Sequence, residues 1–72
     1  MVSPNPAANE VTVKADNNIK SIQLFDAQGR IILTRVEAEL ESKLDVSSYS
    51  KGIYFIKIIT EKGAQVQKLL KE

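Results

Sequence analysis

The chain has no cysteine, no histidine and no tryptophan among its 72 residues. Without histidine and cysteine, the usual general base, thiol nucleophile and soft metal ligands of enzymes are missing. We therefore predict a non-enzymatic protein with no catalytic residue, no metal site and no cofactor. The absence of disulfides by itself favours a reducing compartment. The N-terminal residues also lack the basic and apolar stretches of a signal peptide, so the chain is either cytosolic or a piece of a longer protein.

The chain also lacks a surplus of charge of either sign. Ten basic and nine acidic residues are intermixed, which gives a net charge of +1. A nucleic-acid partner is excluded because no basic stripe is present to replace the counterions of a phosphate backbone. The longest uncharged apolar run, residues 53–56, is too short to span a bilayer.

What the sequence does contain is alternation of apolar and polar residues, which predicts short β-strands. Val11 and Val13 form one such strand, and Asp16, Asn17 and Asn18 after them have turn chemistry. A calcium site at these three residues is the weaker alternative, because the spaced oxygen ligands of a calcium loop are absent. The next two strands place their apolar residues pairwise on one face: Ile22 with Leu24, and Ile31 with Leu33.

Two segments predict hairpin turns of the same kind. Asp26 and Gly29 occupy the first and last positions of one turn, and Thr60 and Gly63 occupy those of the other. This spacing fits a type I turn whose glycine takes the left-handed conformation of a bulge. Two such hairpins favour a meander of antiparallel strands over βαβ units.

Residues 37–46 are ambiguous between helix and strand. Val36, Leu40 and Leu44 recur at a helical spacing, whereas every second residue from Ala38 to Val46 is apolar or small and alternates with charge. We predict a strand. The residues that follow are expected to cross between sheets through one tight turn, with Tyr49 closing an end of the core.

The C-terminal hairpin, residues 52–72, has an unusual first strand. Its two faces are both apolar, one formed by Tyr54, Ile56 and Ile58 and the other by Ile53, Phe55 and Ile59. Such a strand is either covered on both sides or presents an apolar patch to a partner. In the second strand the alternation that starts at Val66 slips by one residue near Leu69, which predicts a bulge or a frayed end.

These patterns predict an all-β fold, an Ig-like antiparallel β-sandwich of about six to seven short strands that ends in a C-terminal β-hairpin. Residues 1–72 form a single domain, in which residues 1–9 are an extended N-terminal segment and residues 10–72 are the sandwich.

Several short motifs occur in a defined order along the chain. They are Pro4-Asn5-Pro6-Ala7, Val11-Thr12-Val13, the segment from Ile22 to Arg30 with its Asp-Ala-Gln-Gly turn, Leu44-Asp45-Val46-Ser47, the segment from Lys51 to Ile58 with its Gly-Ile-Tyr start, and Lys68-Leu69-Leu70-Lys71. In this order and spacing, the chain resembles the C-terminal sorting domain (type A) of cargo proteins of the type IX secretion system, the Por secretion system of Bacteroidetes. The resemblance runs from Pro4 to Lys71.

The resemblance implies a sorting signal that directs a cargo protein across the outer membrane. The implied partners are the outer-membrane translocon and its shuttle proteins, a sortase-like cysteine peptidase that removes or processes the domain, and an N-terminal cargo domain of the same chain. The implied location is the periplasm in transit, then the cell surface or the medium. Carried over by position, the family motifs fall on Pro4, Pro6, Gly29, Gly52, Tyr54, Lys68 and Lys71.

Recognition by the translocon is therefore expected at the C-terminal hairpin. Its apolar outer residues, Ile53 and Phe55 with Ile59, and the charges of Lys68 and Lys71 are the expected contacts. The alternative function is a generic Ig-like accessory module that acts as a spacer, an adhesion domain or a glycan-binding domain. A homodimer through edge strands is a further expectation.

Overall fold

A computed structural model describes residues 2–3 and 9–72, with the exception of the side chains at positions 3, 37 and 38. The described residues form five strands: β1 (Val2–Ser3), β2 (Glu10–Phe25), β3 (Ile31–Asp45), β4 (Gly52–Thr60) and β5 (Gly63–Lys71). All the observed pairings are antiparallel and belong to one sheet. The predicted all-β fold is confirmed.

The long strand β2 is the centre of the sheet. It pairs with β3 along most of its length, with β1 near its start (Val2 opposite Val13) and with β4 over its second half (Leu24 opposite Ile56). β5 then pairs with β4, so the order from β1 is β1-β2-β4-β5, with β3 also paired to β2.

The predicted turn at Asp16, Asn17 and Asn18 is wrong, because these residues lie within β2. The pairing of β2 with β3 passes directly from Lys14 opposite Glu41 to Ile19 opposite Glu39, so the residues between form an irregularity in the strand. Turn-forming residues interrupted the ladder here without ending the strand, which is what a β-bulge does. For this reason the described residues contain five strands, two of them long, instead of six to seven short ones.

A second register shift, between Ile19 and Ser21, reverses which residues of β2 face inward. Val11, Val13 and Ile19 are buried before it, and Ile22 and Leu24 are buried after it. Side chains alternate along a strand, so one extra residue moves every later side chain to the opposite parity. The shift keeps both halves of β2 facing the interior.

One hydrophobic core joins the two halves of the sheet. The core cluster contains residues of both halves of β2, of β1, of the end of β3, of β4 and of β5, together with Val46, which follows β3. Its members are Val2, Val11, Val13, Ile19, Ile22, Leu24, Leu44, Val46, Tyr54, Ile56, Ile58 and Leu69. A shared core between two parts of a sheet fits the predicted sandwich.

Residues 37–45 belong to β3, which pairs with β2, so the predicted strand is confirmed up to Asp45, and Val46 directly follows it. Leu44 and Val46 are buried, whereas Leu40 is 54% exposed. The prediction that Ile31 and Leu33 share a face is wrong. A register shift places Ile31 opposite Phe25 and Leu33 opposite Leu24, so only Leu33 packs against the core.

The described part of the chain contains no helix that could cross a membrane.

Candidate recognition surface

Strands β4 and β5 form a hairpin that is paired along its whole length, with one side facing the core and the other facing outward. Gly52 lies opposite Lys71 and Thr60 opposite Gly63, with no register shift between them. The predicted bulge near Leu69 is therefore wrong. Val66 and Leu69 point to opposite sides of one regular strand, so the apparent slip in the sequence arises because both sides carry apolar residues.

The outer side of this hairpin continues across β2 and β3, because directly paired residues project to the same side of a sheet. We define the outer face as these paired positions, row by row from the end of the hairpin nearest Gly52. The first row spans β4 and β5 and consists of Ile53 and Leu70. The other three rows each run across β3, β2, β4 and β5 in that order. The second row is Ile31, Phe25, Phe55 and Lys68, the third is Thr34, Gln23, Lys57 and Val66, and the fourth is Val36, Ser21, Ile59 and Ala64.

The outer face exposes large apolar side chains. Ile53 is 40% exposed, Leu70 43% and Val66 59% on the hairpin, and the face continues to Ile31 at 56% and Val36 at 82% on β3. Phe25, Phe55 and Ile59 between them are half-buried. Isolated exposed apolar residues are ordinary, but a contiguous apolar patch on a small protein marks an interaction site.

The predicted recognition residues separate into three groups. Ile53, Phe55 and Lys68 lie together on the outer face, and the predicted Ile59 lies on the same face four residues beyond Phe55 along β4. Tyr54 and Lys71 lie on the opposite side of the hairpin and are each only 8% exposed. Gly29 lies in the β2–β3 turn and Gly52 at the start of β4, while Pro4 and Pro6 lie outside the described residues.

Sequence reasoning missed the part of the outer face that β2 and β3 contribute. Phe25, Ile31 and Val36 join the hairpin residues only through cross-strand pairing. The sequence also did not indicate the exposed Val66 and Leu70. A single alternating pattern was expected in this strand, and the adjacent Leu69 and Leu70 were interpreted as a slip in that pattern. The available signal was the uninterrupted spacing of Val66, Lys68 and Leu70, every second residue of one strand.

Tyr54 anchors the connection between β3 and β4. Its hydroxyl group donates a hydrogen bond of 2.7 Å to the backbone oxygen of Ser50, and its ring lies 5.9 Å from the ring of Tyr49. Tyr49 packs against the core, as predicted, and its backbone NH donates to the oxygen of Val46 in a single turn. These contacts fix the connection against the core end of the hairpin.

Gly52 follows this connection with a φ of +148°. A side chain at this position would meet no other atom within 4 Å, so space does not explain the glycine. The backbone conformation does, because residues with a Cβ rarely adopt it.

The other buried motif residue, Lys71, turns its charge toward its own chain. Its ammonium group donates a 2.7 Å hydrogen bond to the backbone oxygen of Glu72. A lysine that is nine-tenths buried offers little of its charge to a partner, in contrast to the exposed Lys68 in the same strand.

The β2–β3 turn is closed by Asp26. Its Oδ1 accepts hydrogen bonds from the backbone NH groups of Gln28 (3.0 Å) and Arg30 (2.9 Å), and its Oδ2 accepts one of 2.7 Å from Nε of Arg30. Gly29 has a φ of +86°, so the predicted left-handed turn glycine is confirmed. Thr60 repeats this bonding in the β4–β5 turn, where its hydroxyl oxygen accepts from the backbone NH of Lys62.

The bonding around Asp26 lowers the pKa of its carboxyl group below the ordinary 3.8, chiefly through the hydrogen bond from the backbone NH of Arg30. A carboxyl group whose pKa is lower in the folded state stabilises that state when ionised. This contribution is complete above the unfolded pKa and is lost as the pH falls from about 4 through the lowered pKa.

We therefore expect Asp26→Asn to lower the melting temperature at pH 7 and to lower it progressively less as the pH falls below about 4. Thermal unfolding followed by circular dichroism between pH 7 and pH 2 checks this. Arg30→Gln keeps the two backbone hydrogen bonds and is expected to have a smaller effect. Melting curves of Asp26→Asn that stay parallel to the parent's over this pH range would contradict the assignment.

The described residues hold no group of three or more histidine, cysteine, aspartate or glutamate side chains that could bind a metal ion. What the geometry offers instead is a broad, mostly apolar face of a β-sheet, which suits the binding of another macromolecule. The fold and this face define a small all-β domain with an exposed apolar sheet face.

Comparison with known families identifies the domain. The model of the secretion system C-terminal sorting domain family matches residues 1–72, and the chain belongs to this family. It is the C-terminal sorting signal for type IX secretion of cargo proteins. A search among curated proteins found no match.

Membership of this family has three consequences. A sorting domain is attached to a cargo protein and interacts with the secretion machinery. Its cargo is exported across the outer membrane to the cell surface or the medium. The lack of cysteine favoured a cytosolic location, and the family assignment shows an exported cargo instead. The family is one of sorting signals and is not known for enzymatic activity.

Proposed function

We propose that the secretion machinery recognises this sorting domain through the outer face, with the hairpin of β4 and β5 as its centre. The observation that carries the proposal is the exposure of three apolar residues on one side of the hairpin: the directly opposed pair Ile53 (40%) and Leu70 (43%), and Val66 (59%) further along β5. Removing such side chains from water against a partner is favourable by about 25 cal/mol per Å² of apolar surface.

Within this proposal the motif residues have two roles. Ile53, Phe55 and Lys68 contact the partner, because they lie on the outer face. The other motif residues maintain the shape of the hairpin and of the turns: Tyr54, Gly52, Gly29 and Lys71. This role is supported by the hydrogen bond from Tyr54 to Ser50 and by the positive φ of both glycines.

The partner is the outer-membrane translocon or one of its shuttle proteins, encountered after the cargo has entered the periplasm. A sortase-like cysteine peptidase then processes the exported protein. The family assignment supports these steps, because a sorting signal has to be read by the machinery that exports its cargo.

The test is export of a periplasmic reporter fused in front of residues 1–72 in a host with a type IX system. We expect the double variant Ile53→Ser with Leu70→Ser to reduce the exported fraction about tenfold or more, because it removes two exposed apolar side chains whose burial against a partner is favourable. Deleting residues 68–72 is a poorer test, since it also removes Leu69, which is 1% exposed and belongs to the core.

The control is Leu40→Ser, compared with the single variant Leu70→Ser. Leu40 is 54% exposed and lies in the part of β3 between Glu39, opposite Ile19, and Glu41, opposite Lys14, which is away from the outer face, so the control removes the same chemical group at comparable exposure. We expect export of the control to equal that of the parent. If the outer-face variant retains the parent's melting temperature and is exported as well as the parent, the outer face is not the recognition surface.

A further inference from the structure

The outer face carries positive charge only. Among its described side chains Lys57 and Lys68 are the charged members, and no aspartate or glutamate occupies any of its paired positions. This distribution is notable in a chain with nine acidic residues and a net charge of +1. The two lysines are diagonal neighbours on β4 and β5, because Lys57 lies opposite Val66 and Lys68 is two residues further along β5.

The described carboxylates lie elsewhere. Glu41 is 3.8 Å from the ammonium group of Lys14, and both lie in the part of the sheet where the first half of β2 meets the end of β3. At the border of the outer face, Asp26 is bonded to Arg30, Glu61 lies in the turn between β4 and β5, and Glu72 follows β5. None of these carboxylates occupies a paired position of the outer face, whose charged members are the two lysines.

The position of Lys57 makes this charge important for binding. It is half-buried in the middle of the face, with Gln23 and Val66 on either side and Phe55 and Ile59 before and after it on the same side of β4. A partner that covers these neighbours also removes the ammonium group from water. Burying a charge without a counter-charge is strongly unfavourable, so a productive partner has to supply an acceptor.

Resting on the proposed function, we propose that the matching surface of the secretion machinery is acidic. It combines apolar side chains, which cover the residues around Ile53, with at least one carboxylate that pairs with Lys57. Lys68, which is more exposed, contributes less to this contact.

Two other occupants fit the charges less well. In a symmetric dimer through this face, the lysines of both copies would meet apolar residues and one another without a carboxylate to pair with. An anionic lipid surface would attract two lysines only weakly, because lipid-binding surfaces carry larger clusters of basic residues. A protein surface with placed carboxylates satisfies both the apolar and the charged positions.

The test uses charge variants of Lys57 in the same reporter fusion. We expect Lys57→Glu to reduce the exported fraction about tenfold or more, since it places like charges opposite each other. Lys57→Gln is expected to have an intermediate effect, Lys57→Arg to resemble the parent, and Lys68→Glu to have a smaller effect than Lys57→Glu. Lys43→Glu, which makes the same charge change at an exposed position outside the face, is the control and is expected to leave export unchanged.

The outcomes separate this inference from the proposed function. If Ile53→Ser with Leu70→Ser blocks export while Lys57→Glu does not, the outer face is recognised but the partner is not acidic. If neither affects export, both proposals fail. Melting temperatures of the isolated variants establish that each one folds.

Two further measurements address the other occupants. Co-flotation of the 72-residue chain with phosphatidylglycerol vesicles but not with phosphatidylcholine vesicles, abolished by Lys57→Glu, would make anionic lipid the occupant. A dimer in light scattering that Ile53→Ser with Leu70→Ser dissociates would make a second copy the occupant. Either result overturns the acidic protein partner, and a monomer that does not float supports it.

Discussion

Replacing Leu24 by alanine is expected to leave most of the domain unfolded at 25 °C. Leu24 is fully buried in the central strand β2, between Leu33 of β3 and Ile56 of β4. Truncating a buried leucine to alanine costs about 2–5 kcal/mol, because the transfer free energy of the lost methyl groups and the energy of the cavity add. A core of this size supplies no more than about 3–5 kcal/mol of net stability.

Urea titration of the 72-residue chain, followed by circular dichroism, measures this loss. The matched control is Leu40→Ala, the same substitution at a residue of β3 that is 54% exposed. It is expected to change the free energy of unfolding by no more than about 0.5 kcal/mol. Equal effects of the two substitutions would contradict the placement of the core between the halves of the sheet.

The second large effect is expected at Tyr54, where two substitutions separate the ring from the hydroxyl group. Tyr54→Ala removes a ring that is 8% exposed and packs in the core cluster, and it is expected to cost about 3–5 kcal/mol. Tyr54→Phe removes only the hydrogen bond to the backbone oxygen of Ser50 and is expected to cost about 0.5–1.5 kcal/mol.

The same pair of variants tests how this motif residue contributes to export. If Tyr54 maintains the shape of the hairpin, the folded Tyr54→Phe variant is exported like the parent, whereas Tyr54→Ala loses export together with its fold. A folded Tyr54→Phe variant with strongly reduced export would show that the hydroxyl group itself contacts the machinery. Melting curves and the reporter assay, made on the same variants, distinguish these results.

Local patterns in the sequence were sufficient to predict both hairpins. Asp26 and Gly29 specify their turn through contacts within five residues, and the structure contains the hydrogen bonds and the positive φ that this chemistry requires. The inner face of β4 was predictable for a similar reason, since Tyr54, Ile56 and Ile58 alternate regularly and are all buried.

Predictions failed where a local preference competed with strand pairing. Asp16, Asn17 and Asn18 favour a turn in isolation, but the flanking residues of β2 pair with β3 on both sides of them, so the strand continues through a bulge. The register shift near Ile31 is likewise a property of two strands. A single strand contains no information about which of its residues lies opposite a bulge.

The absence of histidine and cysteine excludes, from the sequence alone, an imidazole base, a thiol nucleophile and the soft metal ligands. The order of the motifs determined the family, and alternation determined an all-β chain with a hairpin at its end. Only the tertiary structure decided that Lys71 turns inward and that Ile53 and Lys68 share an outer face with Phe25, Ile31 and Lys57. The physical reason is that a surface of this kind is made by residues distant in sequence, and their register depends on pairing and on bulges that no single segment specifies.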